Sequence, residues 1–239
     1  MKIIEKLRKK AEDINNNPPV TIAFLGDSVT QGCFDIYLTN EKRIETYYDT
    51  NEAYHTKVRQ ILNMFFPKAP VNIINAGISG GCAHEGLERL ERDVLRYSPD
   101  LCVVCFGLND ACESDIDTYI NSLTGIFNRL KKEGIEVIFM TPNMMCTHVS
   151  CHIENPDLRR SAEYILKYQA DGTFEKFLTE AKKLAEKMNV PVCDCYAKWK
   201  TLFDAGVDTT ELLSNHINHP IPKMNWMFAY SLVEMFFTK

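Results

Sequence analysis

Five short apolar runs, rich in branched residues, punctuate the 239-residue chain at 20–25, 71–75, 101–106, 136–140 and 190–194. Each has the length and make-up of a buried strand. Between them the apolar positions take a helical period, over 52–66, 83–97 and 116–133. Another helix is expected over 172–189, where Phe174, Phe177, Leu178, Ala181, Leu184 and Met188 share one face. A last helix is expected over 222–237, with Pro222 in its first turn. Residues 1–17 read as a charged, amphipathic N-terminal helix. Strand then helix, repeated, gives a parallel sheet covered on both faces. The chain reads as a doubly wound α/β fold, one domain over 1–239.

Two stretches fit this pattern poorly. Residues 33–51 carry Tyr37, Tyr47 and Tyr48 among mixed charges, and residues 143–160 carry Cys146, His148, Cys151 and His152. Both follow strands, so both emerge at the carboxyl edge of the sheet, where open α/β folds bind ligands. They are expected to be active-site loops.

Composition narrows the class without naming a chemistry. With 45% hydrophobic and 25% charged residues and a net charge of −5, the chain is neither disordered nor a disulfide-stapled miniprotein. The mild acidity gives no electrostatic footprint for nucleic acid. No apolar stretch approaches the ~20 residues of a membrane span, and residues 1–17 lack the apolar run of a signal peptide. A cytoplasmic location is expected. Nine cysteines are an odd count, which suits unpaired, buried thiols in a reducing compartment. Cys102 and Cys105 lie three apart on a strand and point to opposite faces, so they share no metal. The spacing of Cys146, His148, Cys151 and His152 matches no zinc pattern, and no metal or cofactor is expected.

Candidate chemistry begins at Gly26-Asp27-Ser28-Val29-Thr30-Gln31-Gly32, directly after the first strand. Glycines around a serine allow a tight strand-to-helix turn that presents the hydroxyl over the sheet. The turn lacks the G-x-S-x-G pattern, and alone it reads equally well as a helix N-cap. Three further blocks follow in order: Asn75-Ala76-Gly77-Ile78-Ser79-Gly80-Gly81 after the second strand, Gly107-Leu108-Asn109-Asp110 after the third, and Asn218-His219-Pro220 near the C-terminus. In order and context these four blocks resemble the SGNH, or GDSL, hydrolases, from about residue 20 to the end.

The resemblance implies a three-layer α/β/α sandwich with a five-stranded, flavodoxin-like parallel sheet. It implies a serine esterase acting on a small-molecule ester, with Ser28 as nucleophile and His219 as general base. The backbone amides of Ser28 and Gly80 and the side chain of Asn109 would form the oxyanion hole. These residue types suit those tasks: imidazole can take a serine proton near pH 7, and fixed amides can hold a developing oxyanion. An acetylated carbohydrate is the first expectation for the substrate. Longer acyl chains, as for a lysophospholipase or thioesterase, and a non-catalytic ligand-binding relative are the alternatives. A flavodoxin-like phosphate binder is disfavoured by the absence of G-x-G-x-x-G after a strand and of a Walker lysine.

One position departs from the pattern. The family usually carries an aspartate three residues before the catalytic histidine; this chain has His216 there, preceded by Asn215. The partner that orients His219 is therefore open between Asn215, His216, a backbone carbonyl, and Asp208 or Asp204 from upstream. Asp27 and Asp110 are expected to cap helices, and His84 to be a partly exposed helix residue.

Overall fold

The computed structural model describes residues 1–39 and 44–238. Its strands are β1 (Val20–Gly26), β2 (Cys33–Leu38), β3 (Ile44–Tyr48), β4 (Val71–Gly77), β5 (Leu101–Cys105), β6 (Glu136–Thr141) and β7 (Val192–Asp194). Five of these form one parallel sheet in the order β4-β1-β5-β6-β7. Counted along the sheet alone that order is 2-1-3-4-5, the flavodoxin-like winding. Every residue of the central strand β5 is buried, which is why its sequence shows an unbroken apolar run rather than alternation.

The helices are α1 (Lys2–Glu12), α2 (Ser28–Gln31), α3 (Tyr54–Phe65), α4 (Ala83–Glu88), α5 (Leu90–Asp93), α6 (Asp110–Glu113), α7 (Ile116–Lys132), α8 (Pro156–Ala170), α9 (Thr173–Lys187), α10 (Cys195–Asp204) and α11 (Asn225–Phe237). One layer is built from α1, α3, α10 and α11, and the other from α4, α7, α8 and α9. The α/β/α sandwich is therefore as the sequence implies. Phe24, Phe106, Phe127, Phe139, Phe174 and Phe228 are fully buried between the layers, each removing roughly 1.5–3 kcal/mol worth of apolar surface from water.

Several boundaries differ from expectation. The N-terminal helix stops at Glu12, because Asp13 Oδ1 accepts the N–H groups of Asn15 and Asn16 at 3.1 Å each and turns the chain. The single helix expected over 83–97 is α4, α5 and a 3₁₀ turn, Leu95–Tyr97. It breaks at Arg89, whose buried guanidinium is drawn to the strand-end carbonyls of Ala76 (2.6 Å) and Gly26 (2.8 Å). Residues 33–51 hold the antiparallel β2–β3 hairpin instead of an irregular loop, with Tyr37, Tyr47 and Tyr48 exposed; positions 40–43 of that stretch lie outside the described residues. The 143–160 stretch is irregular only to Asn155. That residue caps α8 by accepting the N–H of Asp157 at 2.8 Å, with Pro156 at the first helical position.

All nine cysteines are free thiols, and seven are buried. Among the described residues no helix is long and apolar enough to cross a membrane.

Candidate active site

The site is assembled where three adjacent strands end in register. Gly26 of β1 is paired with Gly77 of β4 and with Cys105 of β5. The residues that follow these ends carry Ser28, Gly80 and Asn109. Cross-ties join the three segments: Ile78 N–H donates to Gly26 O at 3.1 Å, and Ser79 N–H to Gln31 Oε1 at 2.7 Å. Asn109 Nδ2 donates to Gly81 O at 3.1 Å. The Arg89 guanidinium ties the carbonyl ends of β1 and β4 by donating to Gly26 O and Ala76 O.

Close approach dictates glycine at position 77. A Cβ on Gly77 would stand 2.2 Å from Gln31 N, so only glycine lets β4 touch the backbone of α2. Gly80 has φ +77° with open space around the missing side chain, a left-handed conformation that glycine adopts without strain. Among the described residues the N–H groups of Ser28 and Gly80 have no hydrogen-bond acceptor. With the second hydrogen of Asn109 Nδ2, three donors are unengaged at this edge.

Ser28 opens α2, and Asp27 caps that helix by accepting the Val29 N–H at 3.0 Å. The Ser28 hydroxyl lies 2.9 Å from His219 Nε2, although 191 positions separate them. Both residues are almost wholly enclosed, at 4% and 5% exposure. Burial lowers the imidazole to about pKa 4. His219 is therefore neutral throughout the physiological range.

The other face of the ring meets an unexpected partner. Asn215 Oδ1 accepts three backbone N–H groups, from Ile217 (3.0 Å), Asn218 (2.9 Å) and His219 (3.0 Å). That fixes which end of the amide is oxygen. Asn215 Nδ2 consequently faces His219 Nδ1 at 3.1 Å and donates to it, while also donating to Asn218 Oδ1 at 2.9 Å. An amide nitrogen has no lone pair to accept with, so Nδ1 is the acceptor and the ring proton resides on Nε2. The resting tautomer thus donates toward Ser28. Cys33 Sγ, 3.4 Å from Nδ1, is the second neighbour of that nitrogen. Burial, aided by Asp35 and Asp27, pushes its thiol up to about 12, so it stays protonated.

Of the residues considered as partners for His219, Asn215 reaches the ring. His216 turns away, with φ +53° and its ring tilted over His152 at 5.3 Å. Asp208 lies beside His148 and Asp204 beside Lys200. His84 is exposed near the start of α4. Cys33 was not singled out by sequence, since a cysteine two residues past Gln31 carries no local signal.

Two buried carboxyls lie behind the serine. Asp27 uses one oxygen on Val29, and Asp110 uses one on the Ala83 N–H at 2.8 Å, capping α4 from a distance. The second oxygen of each is buried without a partner among the described residues. Burial raises Asp27 to about 7, with Asp110 adding to it, and raises Asp110 to about 6. Buried His55, like His219, is lowered to about 4. The signs oppose each other. Raised acids give stability that is lost as pH climbs through their folded values; lowered histidines give stability that is lost as pH falls from 6.5 toward 4. Near pH 5 the folded state holds two extra protons on the acids and the unfolded state two on the histidines, so the two slopes cancel.

A model of the GDSL-like lipase/acylhydrolase family matches residues 24–226. The chain belongs to that family. Membership places it among the carboxylic ester hydrolases. An acetylxylan esterase of Geobacillus stearothermophilus is 23% identical over 201 residues, covering 78% of this chain and 82% of the relative. Two crystal structures share the fold: an acetyl xylan esterase (TM-score 0.67, 22% identity, 90% of this chain and 99% of that one) and a lipase/acylhydrolase from Enterococcus faecalis (TM-score 0.65, 21% identity, 90% and 94%). For a GDSL-like acylhydrolase, the amide facing Nδ1 is the feature that most affects how the site can work.

Proposed function

We propose that this acylhydrolase removes small acyl groups, acetyl first among them, from carbohydrate esters through an acyl-enzyme on Ser28. The observation that carries the reading is the 2.9 Å contact between Ser28 Oγ and His219 Nε2 beside three unengaged amide donors. The acetylxylan esterase relatives support the acetyl group and the sugar alcohol. So does a cavity of about 470 Å³ next to Gly80 and Gly81, lined by Glu85, Glu88, Arg89 and Arg92. Its charged groups can hydrogen-bond sugar hydroxyls, beside an apolar wall that includes Ile78.

In this mechanism the ring exchanges its proton through water before attack, giving up the one on Nε2 and gaining one on Nδ1. The Nδ1–H then donates a hydrogen bond to the sulfur of the still-protonated Cys33 thiol while Asn215 yields. Nε2 then takes the Ser28 proton as Oγ bonds to the ester carbonyl carbon. The carbonyl oxygen gains the electron pair and is held by the N–H groups of Ser28 and Gly80 and by Asn109 Nδ2. Collapse of that intermediate expels the sugar alkoxide, which takes the proton from Nε2. Water repeats the sequence on the acyl-enzyme, releasing acetic acid, which ionises in solution, and restoring Ser28.

Ser28→Ala should abolish p-nitrophenyl acetate turnover and fluorophosphonate labelling while leaving the melting temperature within a few degrees. A panel of esters graded by acyl length, each on sugar and glycerol alcohols, should favour acetyl sugars. Turnover retained by Ser28→Ala overturns the nucleophile; preference for long-chain glycerol esters overturns the substrate.

A further inference from the structure

Half of the chain's six histidines converge on two carboxylates away from the Ser28 hydroxyl, on loops 147–153 and 208–216. His148 Nε2 lies 3.7 Å from Asp208 Oδ2, His152 Nε2 3.8 Å from Glu211 Oε2, and His216 Nδ1 3.7 Å from Glu211 Oε1. One ligand atom from each of His148, Asp208 and Glu211 falls within 4.8 Å of the others. Cys146, which the sequence places in this group, is buried with its thiol on Ala162 O at 3.7 Å.

These separations are too long for imidazole–carboxylate hydrogen bonds, which close to about 2.7–3.2 Å. The pairs lie a few tenths of an ångström beyond the ~3.3–3.4 Å between neighbouring ligands of a tetrahedral ion with bonds of about 2.0–2.1 Å. The exposed His148, Asp208 and Glu211 side chains, within 4.8 Å, would draw in to share one ion. The carboxylates are also held in a way that leaves an oxygen for a cation. Asp208 Oδ1 accepts the Thr210 N–H at 3.0 Å, leaving Oδ2 toward His148. Glu211 Oε1 accepts Ser150 Oγ–H at 3.0 Å, leaving Oε2 toward His152. Such outer contacts orient ligating groups in metal sites. His216 Nδ1, facing Glu211, is buried and makes no hydrogen bond among the described residues.

We propose that these loops form a binding site for a divalent zinc-type cation, with His148, Asp208 and Glu211 as its core and His152 or His216 completing it. Imidazole nitrogen with carboxylate oxygen suits Zn²⁺ or Co²⁺ over Mg²⁺ or Ca²⁺. The two loops are already stitched by Thr147 N–H to Thr210 Oγ1 (2.9 Å) and Cys146 N–H to Ile217 O (2.8 Å). A cation here would cross-link the 143–155 segment to the loop that carries Asn215 and His219. It stands outside the ester chemistry and takes part in no bond change there.

The test is zinc titration of EDTA-treated, dialysed full-length protein by calorimetry, with thermal melting alongside. One equivalent should bind with a micromolar or tighter Kd. At a hundredfold excess over Kd, zinc should raise the melting temperature by about 5–10 °C. Bound cobalt should show the intense visible absorption of a tetrahedral N/O site. His148→Ala and Glu211→Gln, both at exposed positions, should each weaken zinc at least tenfold and erase the cobalt band. Absent or millimolar binding, wild-type affinity in both variants, or a sulfur-to-cobalt charge-transfer band would each overturn the proposal.

Discussion

The most informative single change is Asn215→Asp. Oδ1 keeps the three backbone N–H groups and the Asn218 amide turns over to donate where it had accepted, so the turn is preserved, while the amide nitrogen on His219 Nδ1 becomes a carboxylate oxygen. The ring then donates from Nδ1 and frees Nε2 to accept from Ser28. Two contributions set the magnitude. Removing the bond that holds the resting tautomer recovers roughly 0.5–1.5 kcal/mol. A carboxylate about 4 Å from the imidazolium is worth about 4 kcal/mol at an effective dielectric of 20. About half of that is expressed where the proton is partly transferred, so the barrier falls by about 3 kcal/mol and kcat rises on the order of 10²-fold. The same 4 kcal/mol is roughly three pK units, lifting His219 from about 4 to about 7. The assay is p-nitrophenyl acetate kcat/KM against pH, with melting as the folding control. Wild type should lose activity only as pH falls through about 4, and Asn215→Asp as it falls through about 7. A folded variant with unchanged rate and an acid limb still at about 4 refutes the tautomer argument.

Other consequences are as direct. Asn109→Ala should lower kcat about 10²-fold or more with little change in KM, since an oxyanion donor acts mainly in the transition state; an equal loss carried by KM would reject that role. Gly77→Ala forces a Cβ to 2.2 Å from Gln31 N and should cost about 3 kcal/mol or more, seen as a melting loss of about 6 °C or more. Asp27→Asn removes one native-state proton near pH 5, unbalancing the cancelled slopes. Urea unfolding of the variant should then show stability rising by about 1.4 kcal/mol per unit between pH 4.5 and 6, against a nearly flat wild type.

The five sheet strands were legible because burial on both faces leaves them as bare apolar runs, and the helical period of 116–133 and 172–189 was equally plain. What stayed hidden depends on partners distant in sequence. Arg89 looks like any helix residue; its pull on the carbonyl of Gly26, 63 positions away, is what breaks the helix. The helix α8 buries only Ala162, so it shows no apolar stripe, although Asn155-Pro156 was a start signal that could have been read. The positions of Ser28, Gly80, Asn109 and His219 followed from a family resemblance in which each block ends a strand or precedes Pro220. The amide facing Nδ1 could not follow from it, because the side chain's direction is set by a turn in which Oδ1 captures three backbone groups. The His–carboxylate group on 147–153 and 208–216 pairs residues about 60 positions apart, beyond any spacing motif.

A catalytic carboxylate normally does two jobs: it positions the imidazole and it steadies the charge the imidazole acquires. In this site they are separated. The ring's position comes from main-chain ties. Ser214 N–H meets His219 O at 2.7 Å, Cys146 N–H meets Ile217 O at 2.8 Å, and Asn143 Nδ2 meets Asn218 O at 2.9 Å. Asn215 adds the three backbone hydrogen bonds of the turn itself. Among the described residues nothing charged faces Nδ1, so in the proposed mechanism an imidazolium formed during attack would rely on the oxyanion opposite it and on the Cys33 sulfur. Geometry and electrostatics are therefore independently adjustable here. A carboxylate at position 215 alters both the tautomer and the charge at a ring whose place is already held, so the rate change it produces measures those two contributions together with the positioning held constant.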